Sequence, residues 1–110
     1  MIIPQCETLG CLENIEEIVS LEGVDGIFVG PYDLSVALGK LAQFADPQIV
    51  AAIDRVLKAC QSAGKFSFIY AGAKEGAKKY FAEGFDGVAF SMDAIVYINA
   101  YQELIKEIKP

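Results

Sequence analysis

Histidine and tryptophan are absent from the 110 residues of this chain, and Arg55 is its only arginine. Acid–base chemistry carried by these residues therefore cannot use an imidazole, the commonest general base in enzymes. Nine basic residues stand against fifteen acidic ones, which gives a formal net charge of -6. This balance leaves no basic patch for nucleic acid or for an anionic membrane surface, so neither is expected as a partner.

Cysteine is also scarce, and Cys6, Cys11 and Cys60 form neither a CxxC pair nor a zinc-finger spacing. An odd number of widely spaced thiols is typical of proteins in a reducing compartment. The apolar start of the chain is broken by Pro4, so it is too short for a signal-peptide core or a membrane span. We therefore expect a cytoplasmic protein without a membrane segment.

What the sequence does have is apolar character: 54% of the residues are hydrophobic, and the mean hydropathy is +0.36. A chain of this length forms one core, so we expect residues 1–110 to be a single unit. Short apolar runs separated by helical patterns predict parallel strands that are covered on both faces.

Strand and helix patterns alternate four times along the chain, which predicts an α/β fold with right-handed parallel crossovers. A helix start is clearest at Asp46-Pro47, and Gly64 ends that helix. The predicted strands lie at 5–7, 27–29, 66–71 and 85–90. The predicted helices run from Thr8 to Gly23, from Pro31 to about Leu38, from Pro47 to Gly64, over 73–83, and over 92–109, where Ile95, Ile98, Leu104, Ile105 and Ile108 are expected to face inward.

Acidic side chains fall where two of the strands end, and ligands of parallel α/β folds bind at the carboxyl ends of strands. Glu7 and Asp33 end consecutive strands, so neighbouring strands would bring both carboxylates within reach of one hard cation. Tyr70 and Asp93 fall at the same edge. The structural alternative is that Asp33 caps its short helix, Glu7 is a solvated strand end and Tyr70 only packs.

Two segments resemble a known family. Residues 22–35, with the sequence EGVDGIFVGPYDLS, strongly resemble the EGVDGxFxGPxDLS signature of the HpcH/HpaI aldolases, and residues 5–8, QCET, look like the family's QxET. The resemblance continues in family order through Asp46-Pro47, Ala63-Gly64-Lys65 and 87–93. It therefore spans nearly the whole chain.

The resemblance implies one half of a TIM-type (β/α)₈ barrel, since members are barrels of this kind and the chain matches only strands five to eight. It also implies class II aldolase chemistry, in which a divalent metal (Mg²⁺, Mn²⁺ or Co²⁺) helps to cleave 4-hydroxy-2-oxo acids to pyruvate and an aldehyde. Glu7 and Asp33 would be the protein ligands of the metal. The keto acid would be bound by Gly30, Pro31, Tyr32, Asp33 and Tyr70.

Part of the family pattern is missing. The family's catalytic arginine and histidine belong to the other half of the barrel, and Arg55 is expected on a surface helix, so no catalytic residue is assigned here. Phe66 and Phe68 stand where small residues are usual and are expected to crowd the pocket. We thus expect a fragment or remnant of an aldolase, inactive alone and completed by self-association or by another half-barrel.

Two alternatives stay open at this point. One is a non-catalytic half-barrel with a binding or structural role, which would show no metal-dependent uptake of a keto acid. The other is a lyase of the citrate lyase β type, which shares the barrel and the paired acids. The GPYDLS corner at 30–35 favours the aldolase over this second alternative.

Overall fold

The computed structural model describes residues 1–109 and has four parallel strands that alternate with helices. The strand order in the sheet is β1-β2-β3-β4, the same as the order in the chain. The elements are β1 (Gln5–Cys6), α1 (Leu9–Glu13), α2 (Ile15–Ser20), β2 (Gly26–Val29), α3 (Pro31–Ala37), α4 (Pro47–Ala63), β3 (Phe66–Ala71), α5 (Lys74–Glu83), β4 (Gly87–Phe90) and α6 (Asp93–Ile108).

One face of the sheet carries the hydrophobic core. Because side chains alternate along a strand, Ile27, Val29 and Ile69 share this outer face, and all three are fully buried. The helices α1 to α4 contribute the opposing layer. Their buried core residues include Leu12, Ile15, Val19, Leu34, Ile49, Ile53, Val56 and Leu57.

The opposite face of the sheet has no helical layer within residues 1–109. We call it the open face; it carries Phe28, Phe66, Phe68, Tyr70 and Ala89, all of them half-buried or exposed. Helices on one face only are the arrangement of a (β/α)₈ barrel, where the other face lines the interior. The fold is thus α/β with four parallel strands, consistent with one half of such a barrel, as the sequence predicts.

Local signals explain the two helices that flank the longest loop. The helix α4 begins after Asp46, whose carboxylate accepts a hydrogen bond from the Gln48 amide at 2.8 Å, and it ends at Gly64 in the left-handed conformation. The helix α3 begins at Pro31 and ends before Leu38. Both were predicted with these boundaries.

Three predicted elements differ from the structure. The helix expected between Thr8 and Gly23 is divided at Asn14, whose side-chain amide donates to the Gly10 carbonyl at 2.8 Å. The first strand ends at Cys6 instead of Glu7. The fourth strand starts at Gly87 instead of Phe85, and residues 85–86 precede it.

The inward orientation predicted for the apolar side chains of α6 is wrong. Every residue from 92 to 109 is exposed, and α6 does not pack substantially on any other described element. The molecule is correspondingly elongated, with a longest extent of 58 Å. Helical periodicity identified the helix correctly, but it carries no information on what the helix packs against. Among residues 1–109, no helix combines the length and the apolar character that a bilayer crossing requires.

Candidate functional site

The candidate site lies where β1, β2 and β3 end. The register pairs Cys6 with Val29 and Val29 with Ile69, so the next residues along the three strands, Glu7, Gly30 and Tyr70, follow in one row. Parallel strands bring these ends to the same edge of the sheet. The condition on which the sequence argument depended, that the strands ending at Glu7 and at Gly30 are neighbours, therefore holds.

Glu7 lies directly against Gly30. A Cβ built on Gly30 would be 3.4 Å from Glu7 Oε2 and 3.0 Å from the side-chain nitrogen of Gln5. The Gly30 amide donates to the Cys6 carbonyl at 3.2 Å, which fixes this approach. Glycine at this position thus lets the Gln5 side-chain nitrogen approach more closely than a residue with a Cβ would allow.

Asp33 enters the same region through α3. Gly30 is the N-cap and Pro31 the first residue of the helix, so Asp33 lies in the first turn with its side chain exposed. Gly30 gives no side-chain cap, and no side-chain cap bond is made at this helix start. Asp33 is the acid of the first turn and not the N-cap residue, and its role at this corner stays a prediction.

Ser35 holds this corner in place, a role that the sequence reasoning missed. Its side chain is fully buried; Oγ donates to the Tyr32 carbonyl at 2.5 Å and accepts from the Ala42 amide at 3.0 Å. The hydroxyl thereby joins the first turn of α3 to the loop that follows the helix. The signal was present as the last letter of the DLS motif.

Tyr70 and Phe68 form the neighbouring part of the open face. The Tyr70 hydroxyl lies 3.7 Å from the position of a Cβ on Gly72, so the ring lies beside the end of its own strand. One layer below, the Phe68 ring covers Gly87. Phe66 and Phe68 thus lie on the open face, whereas Ser67 is buried on the other side. The crowding of a substrate pocket by these two rings stays a prediction.

Arg55 is not part of the site. It lies on α4, where its guanidinium donates to both oxygens of Glu16, from Nε to Oε1 at 2.8 Å and from Nη2 to Oε2 at 2.7 Å. These bonds lower the pKa of Glu16 from 4.5 to about 2. The prediction that Arg55 lies on a surface helix is confirmed.

The corner fits a divalent cation in part. Two carboxylates with room for water and substrate oxygens are the donor set that Mg²⁺ commonly uses in proteins. Within residues 1–109, no group of three His, Cys, Asp or Glu residues could enclose a metal ion. A cation bound by Glu7 and Asp33 would therefore also need oxygen ligands other than the carboxylates of residues 1–109.

Two grooves lie elsewhere, on the helical side of the molecule. One of about 500 Å³ lies beside α2 and α4 and contains the Arg55–Glu16 pair. The other, of about 590 Å³, lies between α4 and α5 and is lined by Phe44, Val50, Leu57 and Tyr80 among others. Neither includes Glu7 or Asp33.

Comparison with known proteins gives a consistent result. Residues 1–100 match the family described as HpcH/HpaI aldolase/citrate lyase. A 5-keto-4-deoxy-D-glucarate aldolase from Klebsiella pneumoniae is 37% identical over 108 residues, which cover 98% of this chain and 42% of that protein. A hydroxypyruvate/pyruvate aldolase from Chromohalobacter salexigens is 36% identical, with the same coverage of both chains.

A solved structure shows the same relationship. The crystal structure of an HpcH/HpaI aldolase/citrate lyase family protein from Burkholderia cenocepacia superposes with a TM-score of 0.92 at 32% identity, covering 98% of this chain and 42% of that one. The chain thus spans less than half the length of the relatives that it matches.

Proposed function

The chain belongs to the HpcH/HpaI aldolase/citrate lyase family, and on that basis we propose that residues 1–110 are a single (β/α)₄ half-barrel domain that binds a divalent metal and a 2-oxo acid. In this proposal the half-barrel is part of, or derived from, a class II aldolase that cleaves 4-hydroxy-2-oxo acids to pyruvate and an aldehyde. The observation that carries the proposal is the contact of the Glu7 carboxylate with Gly30, at the start of the corner that presents Asp33.

Each residue of the corner has a role in this proposal. Glu7 and Asp33 supply one carboxylate each to the metal, Mg²⁺, Mn²⁺ or Co²⁺. Gly30 leaves space for the Gln5 side chain beside Glu7. Pro31 starts α3 so that the first-turn amides lack helical partners and are available to a substrate carboxylate. Tyr32 and Tyr70 border the keto acid. A divalent cation bound here supplies Lewis-acid polarisation of the keto-acid carbonyl.

Catalysis requires more than this chain contains. Cleavage of a carbon–carbon bond involves proton transfer, and no imidazole is available among the 110 residues. The only guanidinium is engaged by Glu16 on the helical side. We therefore propose that the isolated chain binds metal and keto acid but turns over little or none.

The open face indicates how the chain would be completed. Its aromatic side chains are partly exposed, and β1 and β4 are edges without a further strand among the described residues. Exposed strand edges favour pairing with other chains. We propose that a second copy or another half-barrel covers this face, in the cytoplasm, where Cys6, Cys11 and Cys60 stay free as they are here.

Titration calorimetry tests the proposal. We expect Mn²⁺ to bind with a pyruvate-dependent increase in affinity, and Glu7→Gln and Asp33→Asn each to weaken Mn²⁺ binding by about tenfold or more, as loss of a ligand predicts. Glu17→Gln is the matched control, because Glu17 is an exposed acid on α2 away from the corner. Equal Mn²⁺ affinity in Glu7→Gln and Glu17→Gln would contradict the metal assignment.

A second candidate is a non-catalytic half-barrel. The observation that favours it is the Phe68 ring, which fills space on the open face beside the site. This candidate predicts no pyruvate-dependent uptake of Mn²⁺ and no effect of Glu7→Gln on keto-acid binding. Pyruvate release from a 4-hydroxy-2-oxo acid at rates usual for class II aldolases, abolished by EDTA, would contradict both this candidate and the proposed inactivity of the isolated chain.

A further inference from the structure

Two of the three free thiols lie close together across the turn that joins β1 to α1. Cys6 is the last residue of β1 and is fully buried in the hydrophobic core. Cys11 lies in α1, packs against the same core and is only partly buried. The two side chains are within hydrogen-bonding distance of each other. A close pair of thiols, one of which solvent can reach, is the arrangement that thiol–disulfide exchange requires.

The turn between the two residues explains why they meet. Thr8 caps α1: its Oγ accepts a hydrogen bond from the Cys11 amide at 3.2 Å, and its carbonyl accepts from the Leu12 amide at 3.1 Å. These bonds return the first turn of α1 to the end of β1. On the other side, the Cys6 carbonyl accepts from the Gly30 amide at 3.2 Å, which holds Cys6 in the sheet. Backbone hydrogen bonds on both sides therefore fix the approach of the two thiols.

Cys60 belongs to the same core but lies outside this pair. It is a fully buried residue of α4, and its thiol is hydrogen-bonded to the backbone of Ile27, whereas the thiol of Cys6 is bonded to Cys11. The odd number of thiols thus divides into one pair and one separate buried residue. Cys60 therefore provides an internal control for the reactivity of the pair.

The helix α1 has the freedom to bring the two sulfurs into bonding distance. A disulfide has an S–S length of about 2 Å, so the thiols must approach by about 1–2 Å from hydrogen-bonding distance. The helix is only 5 residues long, Leu12 is its one buried residue, and it ends at Asn14. A Cβ at Gly10 would meet nothing within 4 Å, so the turn has free space beside it. Because β1 is bonded into the sheet, the movement falls on α1.

We propose that Cys6 and Cys11 form a reversible oxidation site that reacts with low-molecular-weight disulfides such as oxidised glutathione. The Cys11 thiolate attacks one glutathione sulfur, which forms a mixed disulfide and releases one glutathione thiolate. Cys6 then attacks the Cys11 sulfur, and its proton passes to the second glutathione as that thiolate leaves. Two protein thiols are thereby oxidised, and one glutathione disulfide is reduced to two glutathione molecules. Because Cys6 is buried, the second step is the slower one.

The redox poise of the compartment decides which form is present. In a reducing compartment the pair stays in the thiol form seen here, and the bond forms when the concentration of small disulfides rises. The site uses the core side of β1 and requires neither a metal ion nor a keto acid. The proposal therefore stands or falls separately from the proposed function.

Mass spectrometry of the full chain tests the proposal. After incubation with oxidised glutathione and an acid quench, we expect a chain that is lighter by two hydrogen atoms and that regains them in dithiothreitol. A protease that cleaves after glutamate cuts at Glu7, between the two cysteines. The peptides 1–7 and 8–13 should therefore stay joined until they are reduced. Their joint mass identifies Cys6 and Cys11 as the bonded pair.

Three variants separate the two steps. Cys6→Ala should stop at a glutathione adduct on Cys11, because the resolving thiol is gone. Cys11→Ala should react at least about tenfold more slowly than the native chain, because the remaining thiols are buried. Cys60→Ala is the matched control and should form the disulfide as the native chain does.

Circular dichroism checks that each variant is folded, and the native chain together with Cys60→Ala decides the question if another variant is not. A glutathione adduct that persists on Cys11 in the native chain would overturn the proposal. A disulfide that includes Cys60, or a native chain that does not react with oxidised glutathione, would overturn it as well.

Discussion

The ring of Phe68 lies directly over the α-carbon of Gly87 on the neighbouring strand: a Cβ at residue 87 would be 2.4 Å from Phe68 Cδ1 and 2.6 Å from Cε1. The two residues are register partners of β3 and β4. Glycine at 87 thus lets an aromatic ring cover the sheet on the open face, at the edge where β4 has no further partner among the described residues.

Gly87→Ala should destabilise the chain by about 1–3 kcal/mol, because the added methyl group forces the Phe68 ring out of its position. Urea denaturation measures the change. Gly10→Ala is the matched control, since a Cβ at Gly10 meets nothing within 4 Å, and it should be neutral or slightly stabilising. In the Phe68→Ala background the cost of Gly87→Ala should disappear; an unchanged cost would show that the ring is not its cause.

Gly30→Ala tests the space beside Glu7. The new methyl group would lie 3.0 Å from the Gln5 side-chain nitrogen, which has to move slightly, and 3.4 Å from Glu7 Oε2, an ordinary van der Waals contact. If Glu7 binds metal as proposed, the displaced Gln5 side chain beside it should lower Mn²⁺ affinity by only about threefold, or about 0.7 kcal/mol. Gly23→Ala serves as the control, because a Cβ there meets nothing within 4 Å. Equal Mn²⁺ affinities in the two variants would show that the space beside Gly30 is not needed for Mn²⁺ binding.

The Glu16–Arg55 pair predicts a pH dependence of stability. The pKa of Glu16 falls from 4.5 to about 2 on folding, because the Arg55 guanidinium bonds the ionised carboxylate. The pair therefore stabilises the folded chain fully above pH 4.5, and this stabilisation is lost as the pH falls towards 2. The difference in urea midpoint between the native chain and Glu16→Gln should be constant above pH 5 and should shrink below it. Because the pair is exposed, the difference should also decrease in high salt. A difference that grows on acidification would refute this assignment.

The three thiols should react at different rates. Cys60 is buried, which raises its pKa to about 11, and burial together with a hydrogen bond to Cys11 raises the pKa of Cys6 as well. Only Cys11 is partly accessible. With an aromatic disulfide reagent at pH 8, one thiol should react rapidly in the native chain and all three in urea. Cys11→Ser should abolish the rapid phase, whereas Cys60→Ser should preserve it; rapid reaction of all three thiols in the native chain would contradict the burial of Cys6 and Cys60.

The sequence predicted those parts of the fold that local chemistry determines. Asp46-Pro47 and Gly64 mark the ends of α4 because a cap, a first-turn proline and a left-handed glycine act within a few residues. Residue types alone did not determine that Phe68 covers Gly87, since that contact depends on the register between two strands. The packing of α6 was mispredicted for a related reason: an apolar stripe has the same periodicity whether its partner lies in the same chain or in another one.

For the candidate site, the sequence supplied the two acids and the corner, and the neighbouring strand ends follow from the parallel order. The close approach of Glu7 to Gly30 and the bonds of Ser35 to Tyr32 and Ala42 are visible only in the structure. The first contact joins two strands that are remote in sequence, and the bonds of Ser35 join a helix to the loop that follows it. Such distances cannot be read from residue types. The ligand roles of Glu7, Asp33 and Tyr70 stay predictions.

The order of the strands has a consequence for folding kinetics. Because β1 to β4 pair in the order in which they occur along the chain, no strand must wait for a distant segment before it finds its neighbour. The crossovers that parallel pairing requires slow each step, but they leave the order of pairing unchanged. During synthesis the sheet can therefore grow one strand at a time from the N-terminal side, so that the corner at Gly30 is assembled from β1 and β2 before α6 has left the ribosome.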